Sequence, residues 1–159
     1  MEQCSKFYGK GVIIHPPKER ENRIDDFIKQ LTNPNIIQML ERLKLNICIE
    51  NSQVSQSFFQ SLENLILLSS KLETKLKILK KPELIKYFKF CFDTGHYLLY
   101  RQRDGLGTND WEQNADRFLK NTIIFHIHSN DGSKDQHLLP YTTANPPARR
   151  MPFDFKRFF

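Results

Sequence analysis

The sequence predicts an α/β fold built on about four parallel strands with helices between them. Three observations predict it. Four short apolar runs have strand length and composition: Gly11-Val12-Ile13-Ile14-His15, Asn46-Ile47-Cys48-Ile49-Glu50, Phe88-Lys89-Phe90-Cys91-Phe92-Asp93 and Thr122-Ile123-Ile124-Phe125-His126-Ile127-His128. Each is followed at once by a loop signal: Pro16-Pro17, Asn51-Ser52, Thr94-Gly95 and Ser129-Asn130-Asp131-Gly132. Long amphipathic stretches separate the runs, which gives the alternation of a parallel sheet. The carboxyl ends of parallel strands open on one face, where ligands bind. The runs end in His15, Glu50, Asp93 and His128, all metal-binding residue types, so these four are expected to converge.

Residues 1–10 read as the end of a preceding helix and the turn before the first strand. Ile24, Phe27, Ile28 and Leu31 recur at helical spacing. Thr32-Asn33-Pro34 opens a second helix with proline in an early position and Ile36, Ile37, Leu40 and Leu43 on its apolar face. After the second strand, Phe58, Phe59, Leu62, Leu65, Ile66 and Ser69 mark a long helix. Pro82 stands in the first turn of a short one carrying Leu84, Ile85 and Phe88. Asn109-Asp110 caps the helix with Trp111, Ala115, Phe118 and Leu119, and the fourth strand follows. Residues 1–140 are expected to form one unit. Residues 141–159 read as a polar loop with Pro146-Pro147 and the start of a helix at Phe153 to Phe159.

Four strands with their helices make half a barrel, since a closed eight-stranded one takes about 250 residues and this chain has 159. A half barrel leaves an apolar face and a backbone edge to be covered, so a homo-oligomer or a complementing chain is an expected partner. Cys4, Cys48 and Cys91 are an odd number without paired spacing, and two lie inside strands; they read as core residues in a reducing compartment. With no apolar leader and no run long enough to span a bilayer, a cytoplasmic protein without a membrane partner is expected. The net charge of +6 comes largely from Lys71, Lys75, Lys77, Lys80, Lys81, Lys86 and Lys89, which read as a solvated helix face.

The densest group of ligand-type residues follows the last strand, where His126, His128, Asp135 and His137 lie within a dozen positions. Alternation puts His126 on the same side as His128, one layer deeper, where it reads as an interior histidine and not a ligand. Together, Ile14-His15-Pro16, Ile49-Glu50-Asn51, Phe92-Asp93-Thr94-Gly95-His96, His128-Ser129-Asn130-Asp131 and Asp135-Gln136-His137 resemble the xylose-isomerase-like barrel superfamily. That group includes sugar phosphate isomerases and epimerases and the endonuclease IV type of apurinic/apyrimidinic endonuclease. The resemblance runs from Gly9 to Leu139, with a weaker continuation at Phe153 to Phe159. It implies a partial (β/α) barrel missing the first and last strands.

The resemblance also implies roles. Glu50, Asp93 and His128 match three ligands of a divalent metal; the family's fourth, a Glu ending the last strand, has no position here. Glu50 and His96 match catalytic positions, His96 contacting substrate in the isomerases and metal in the nucleases. His15, Asp135 and His137 match further metal or substrate residues of the nuclease branch. Carboxylates with imidazole suit manganese, zinc, cobalt or magnesium. In an isomerase the metal would hold the oxygens of a sugar or keto acid while carboxylates shuttle the proton; in a nuclease it would activate water against the phosphodiester of abasic DNA.

Plainer readings stand beside these. Asp93 before Thr94-Gly95 also reads as a turn, His15 before two prolines as a strand end, Asp131 as a loop cap and His137 as a surface residue. For Glu50, Asp93 and His128 together, three independent strand ends would have to mislead at once. The short gap from His128 to Asp135 and the stretch Asp135-Gln136-His137-Leu138-Leu139-Pro140 favour the isomerase and epimerase members. His15 and the basic charge favour the nuclease. The stretch Thr142 to Pro147 replaces the family's Gly-rich turn. Weak or no activity, with a non-catalytic remnant or interaction module as the extreme case, is the third expectation.

Overall fold

The computed structural model describes residues 10–17, 24–105, 109–128, 130 and 134–137. Expectations for residues 1–9, Cys4, Asp131 and 141–159 lie outside the described residues.

The elements run β1 (Gly11–Ile14), α1 (Ile24–Leu31), α2 (Pro34–Leu43), β2 (Asn46–Glu50), a 3-10 turn (Phe58–Gln60), α3 (Leu62–Ile78), a 3-10 segment (Pro82–Tyr87), β3 (Phe88–Asp93), α4 (Thr94–Arg103), α5 (Asp110–Leu119) and β4 (Thr122–His126). The four strands are parallel and ordered β1-β2-β3-β4, so the α/β class and the parallel four-stranded sheet stand as expected. Strand ends are shorter than the apolar runs: β1 stops before His15 and β4 stops at His126, two residues before His128.

Local chemistry sets the helix boundaries. The Asn33 side chain accepts from the Asn35 amide and Pro34 opens α2, which ends at Lys44 in a left-handed conformation (φ 54°). Phe58 and Phe59 fall in the 3-10 turn, because Ser61 caps α3 by accepting from the Asn64 amide. The segment opened by Pro82 is likewise 3-10. Asn109 precedes α5 without a side-chain cap bond, and Asp110 serves a different helix. Its carboxylate accepts from the amides of Leu62 (2.9 Å) and Glu63 (3.0 Å), joining α5 to the N-terminus of α3.

The sheet has two chemically different faces. Ile47, Ile49, Phe88, Phe90 and Phe92, with Val12 and Ile14, point into a core completed by Phe27, Leu40, Leu65, Leu72 and Phe118 from the helices. Burying each such side chain contributes about 1.5–3 kcal/mol. The opposite face carries Ile13, Cys48, Glu50, Lys89, Cys91, Asp93, Ile124 and His126, as the strand registers require. Cys48 and Cys91 are fully buried there, in keeping with their reading as core residues. Pairing between β3 and β4 shifts after Phe90. Phe90 faces Thr122 but Cys91 faces Ile124, which leaves Ile123 as an extra residue and sets His126 opposite Asp93. No helix among the described residues is long and apolar enough to cross a membrane.

Candidate metal centre

Glu50 and Asp93 end β2 and β3 on the same face, each 1% exposed, and β4 brings His126 beside both. Nδ1 of His126 lies 2.7 Å from Glu50 Oε1 and 3.5 Å from Asp93 Oδ2. On the other side, His15 Nε2 stands 2.6 Å from Glu50 Oε2. The expected convergence at the carboxyl ends is therefore what the structure shows, with one change of cast. His126 is no interior histidine: its side chain is 40% exposed and meets the two carboxylates directly. His128 is the deeper ring, its Nε2 2.8 Å from Asp93 Oδ1. The extra residue in β4 sets His126 opposite Asp93, and the strand ends there, so its alternation does not extend to His128.

A second group adjoins the first. Asp135 Oδ2 lies 3.2 Å from His96 Nε2 and 3.1 Å from His137 Nε2, and the His137 ring stacks on His128 at 4.1 Å. Its segment is pinned by the Gln136 amide, which donates to Asn130 Oδ1. Potential ligand atoms fall into three sets, each within 4.8 Å: Glu50, Cys91 and His126; Asp93, His96 and His128; and His128, Asp135 and His137. Glu50, Asp93, His96 and His128 are buried, Asp135 is half-buried, and His15 and His137 lie at the rim.

Neighbouring polar residues hold this arrangement. Asn51 accepts from the Asp93 amide (2.7 Å) and donates to its carbonyl (2.9 Å), locking the end of β3 to the loop after β2. The Thr94 hydroxyl donates to the His128 carbonyl (2.8 Å) and accepts from its amide (3.0 Å), tying α4 to the end of β4. Asp93 Oδ1 accepts from the His96 amide, so Asp93 caps α4, and the turn read at Thr94-Gly95 is the start of that helix; Oδ2 remains for the site. His96 Nδ1 lies 2.8 Å from the Asn51 carbonyl, which can only accept, so Nδ1 carries the proton and Nε2 faces Asp135. None of Asn51, Thr94 and Gly95 was marked as a scaffold by sequence; a buried Asn directly after a ligand-type strand end was the available signal.

The donor set fits a divalent cation. Glu50 Oε2, Asp93 Oδ2, both ring nitrogens of His128 and Asp135 Oδ1 are buried without a hydrogen bond, five of the seven such side-chain atoms among the described residues. The short contacts from His15 to Glu50 and from His128 to Asp93 lack hydrogen-bond geometry, as groups do when aimed at a shared third point. Three carboxylates in one buried region need positive charge, and a mixed oxygen and nitrogen set suits manganese, zinc, cobalt or magnesium. Beneath them, burial first and then the Glu50 and Asp93 carboxylates push the Cys91 thiol up to about 12. Comparison with protein-family models, curated proteins and solved structures gives no match for this chain.

Proposed function

We propose that this chain is part of a xylose-isomerase-like (β/α) barrel and acts as a divalent-metal-dependent sugar or sugar-phosphate isomerase or epimerase. The observation that carries the reading is the convergence of Glu50, Asp93 and His126 at the carboxyl ends of three neighbouring strands, with buried carboxylate oxygens that accept no hydrogen bond. Two features of the sheet support the barrel. Its strand order is strictly sequential, and its core-forming helices lie against one face while small cysteines fill the other.

Glu50, Asp93 and His126 would hold the cation, with His128 beside them, and the cation would supply Lewis acidity toward the oxygens of a sugar or keto acid. The chain's own residues supply orientation and proton handling. His96 presents Nε2 in a fixed tautomer beside Asp135, suited to passing a proton at a substrate oxygen. The exposed His15 borders the opening and reaches the same carboxylate, where it can contact substrate.

The test has two stages. Manganese or zinc should raise the melting temperature, because binding only the folded form stabilises it. Asp93→Ala should abolish that shift. A panel of ketoses and keto acids, assayed for isomer or epimer formation, then tests turnover. A second reading, metal-dependent hydrolysis at abasic DNA, draws on one specific observation, the second donor group of His128, Asp135 and His137 beside the first. Paired cations clamp phosphoryl oxygens. Metal-dependent nicking of an abasic duplex, lost in Asp93→Ala, would select it over isomerisation. A thermal shift without turnover on either substrate class would assign the face to binding alone.

A further inference from the structure

The donors at the mouth of the sheet do not stop at oxygen and nitrogen. Cys91 is the direct register partner of Glu50 and precedes Asp93 by two residues, so its side chain lies on the site face, level with Glu50 and one layer below Asp93. It is fully buried, and its Sγ lies within 4.8 Å of ligand atoms of Glu50 and His126. Glu50 Oε2 and Asp93 Oδ2, on side chains each 1% exposed, accept no hydrogen bond and have only histidine nitrogens beside them, an independent sign that something cationic completes this spot. A thiol is an unusual choice for the floor of a site meant for a hard cation, because magnesium and manganese select oxygen donors.

We propose that Cys91 is a sulfur ligand of the metal held by Glu50, Asp93 and His126, and that it biases the site toward zinc or cobalt over magnesium and manganese. The proposal rests on the metal-centre reading above and adds to it the donor that sets metal choice. Glu50, His126 and Cys91 offer three ligand atoms within 4.8 Å of one another, and Asp93 Oδ2 stands beside them, 3.5 Å from His126 Nδ1; zinc takes four donors in tetrahedral sites. Coordination is a Lewis acid-base step with no redox change: the thiol proton leaves to solvent and the sulfur lone pair goes to the cation. Metal binding should therefore release one more proton in the wild type than in a variant without the sulfur.

Cobalt(II) reads both layers of the argument at once. The full chain titrated with cobalt should show visible ligand-field bands, which report a bound ion, and a near-ultraviolet sulfur-to-cobalt charge-transfer band, which reports Cys91. Cys91→Ser should keep the ligand-field bands and lose the charge-transfer band, whereas Cys4→Ser and Cys48→Ser should keep both. The preference for zinc over manganese, measured by competition, should fall about tenfold or more in Cys91→Ser. Ligand-field bands without a charge-transfer band in the wild type would overturn the sulfur ligand and leave the metal centre standing. So would a charge-transfer band that survives Cys91→Ser. Absence of any cobalt spectrum or thermal shift in the wild type would remove the metal centre and this proposal with it. The wild-type spectrum decides the matter even if the Cys91 variant fails to fold.

Discussion

Gly95 shows how tightly single residues define the centre. A Cβ built there would lie 2.0 Å from Cε1 and 2.3 Å from Nδ1 of His128, so only a glycine lets that ring lie against α4. Gly95→Ala should therefore move His128. Alanine gains about 1 kcal/mol of helix propensity over glycine, but overpacking a buried site costs about 1–3 kcal/mol. The expected result is a net loss of stability in urea titration together with a weakened metal-induced thermal shift; an unchanged shift would show that His128 lies outside the centre. The ligand-type residues at strand ends were legible because period-two alternation and loop signals place them without tertiary knowledge. The parts taken by His126 and His128 were not legible, because they depend on an extra residue in β4 and on the strand ending at His126, which no local pattern announces. Asn51 and Thr94 escaped notice for a related reason: their partners lie 42 and 34 residues away.

At the level of elements, the joint between α3, α4 and α5 is the informative one. Asp110 takes bonds from two amides at the start of α3, from the Tyr97 hydroxyl (3.1 Å) and from the Asn114 amide. Burial, then the Asp110 carboxylate, holds the Tyr97 phenol protonated far above its usual range, with Arg101 opposing. In the unfolded chain the thiol of Cys91 ionises near 9.0 and the phenol near 10.0, while the fold keeps both neutral. The unfolded state thus sheds protons first. Stability is full below pH 9 and declines as pH rises above it. Urea titrations of the metal-free chain between pH 7 and 11 should show this, and Tyr97→Phe should flatten the part of the decline above pH 10. At neutral pH the same variant should cost about 1 kcal/mol, the worth of one hydrogen bond. Sequence reasoning had Asp110 capping its own helix; a side chain that serves a helix 48 residues earlier is set by packing, which periodicity does not encode.

For the molecule as a whole, the two outer strands decide behaviour in solution. On β4 and just past it, Ile123, Phe125 and Ile127 are 43–49% exposed among the described residues, next to a backbone edge without a described partner. Such a surface favours association. Sedimentation of the wild-type chain should depend on concentration, and Ile123→Lys should remove much of that dependence without disturbing the core, because Ile123 is not one of the residues that build it. A wild-type chain that stays monomeric across the range would contradict this. The expectation of parallel strands with intervening helices needed only hydrophobic patterning and loop signals, which is why it held at this scale.

The extra residue in β4 has one more consequence. Among the described residues β4 has one neighbour to fix its alignment, and a slip by one position would regularise its pairing. That slip would set Phe125 opposite Asp93 and turn the His126 imidazole away from both buried carboxylates. The bulged and slipped alignments therefore differ in their affinity for a cation, and a ligand that prefers one of two alignments shifts the population toward it. Binding at the mouth and the alignment of β4 are thermodynamically linked, so a bound cation acts as the peg that keeps the strand from sliding.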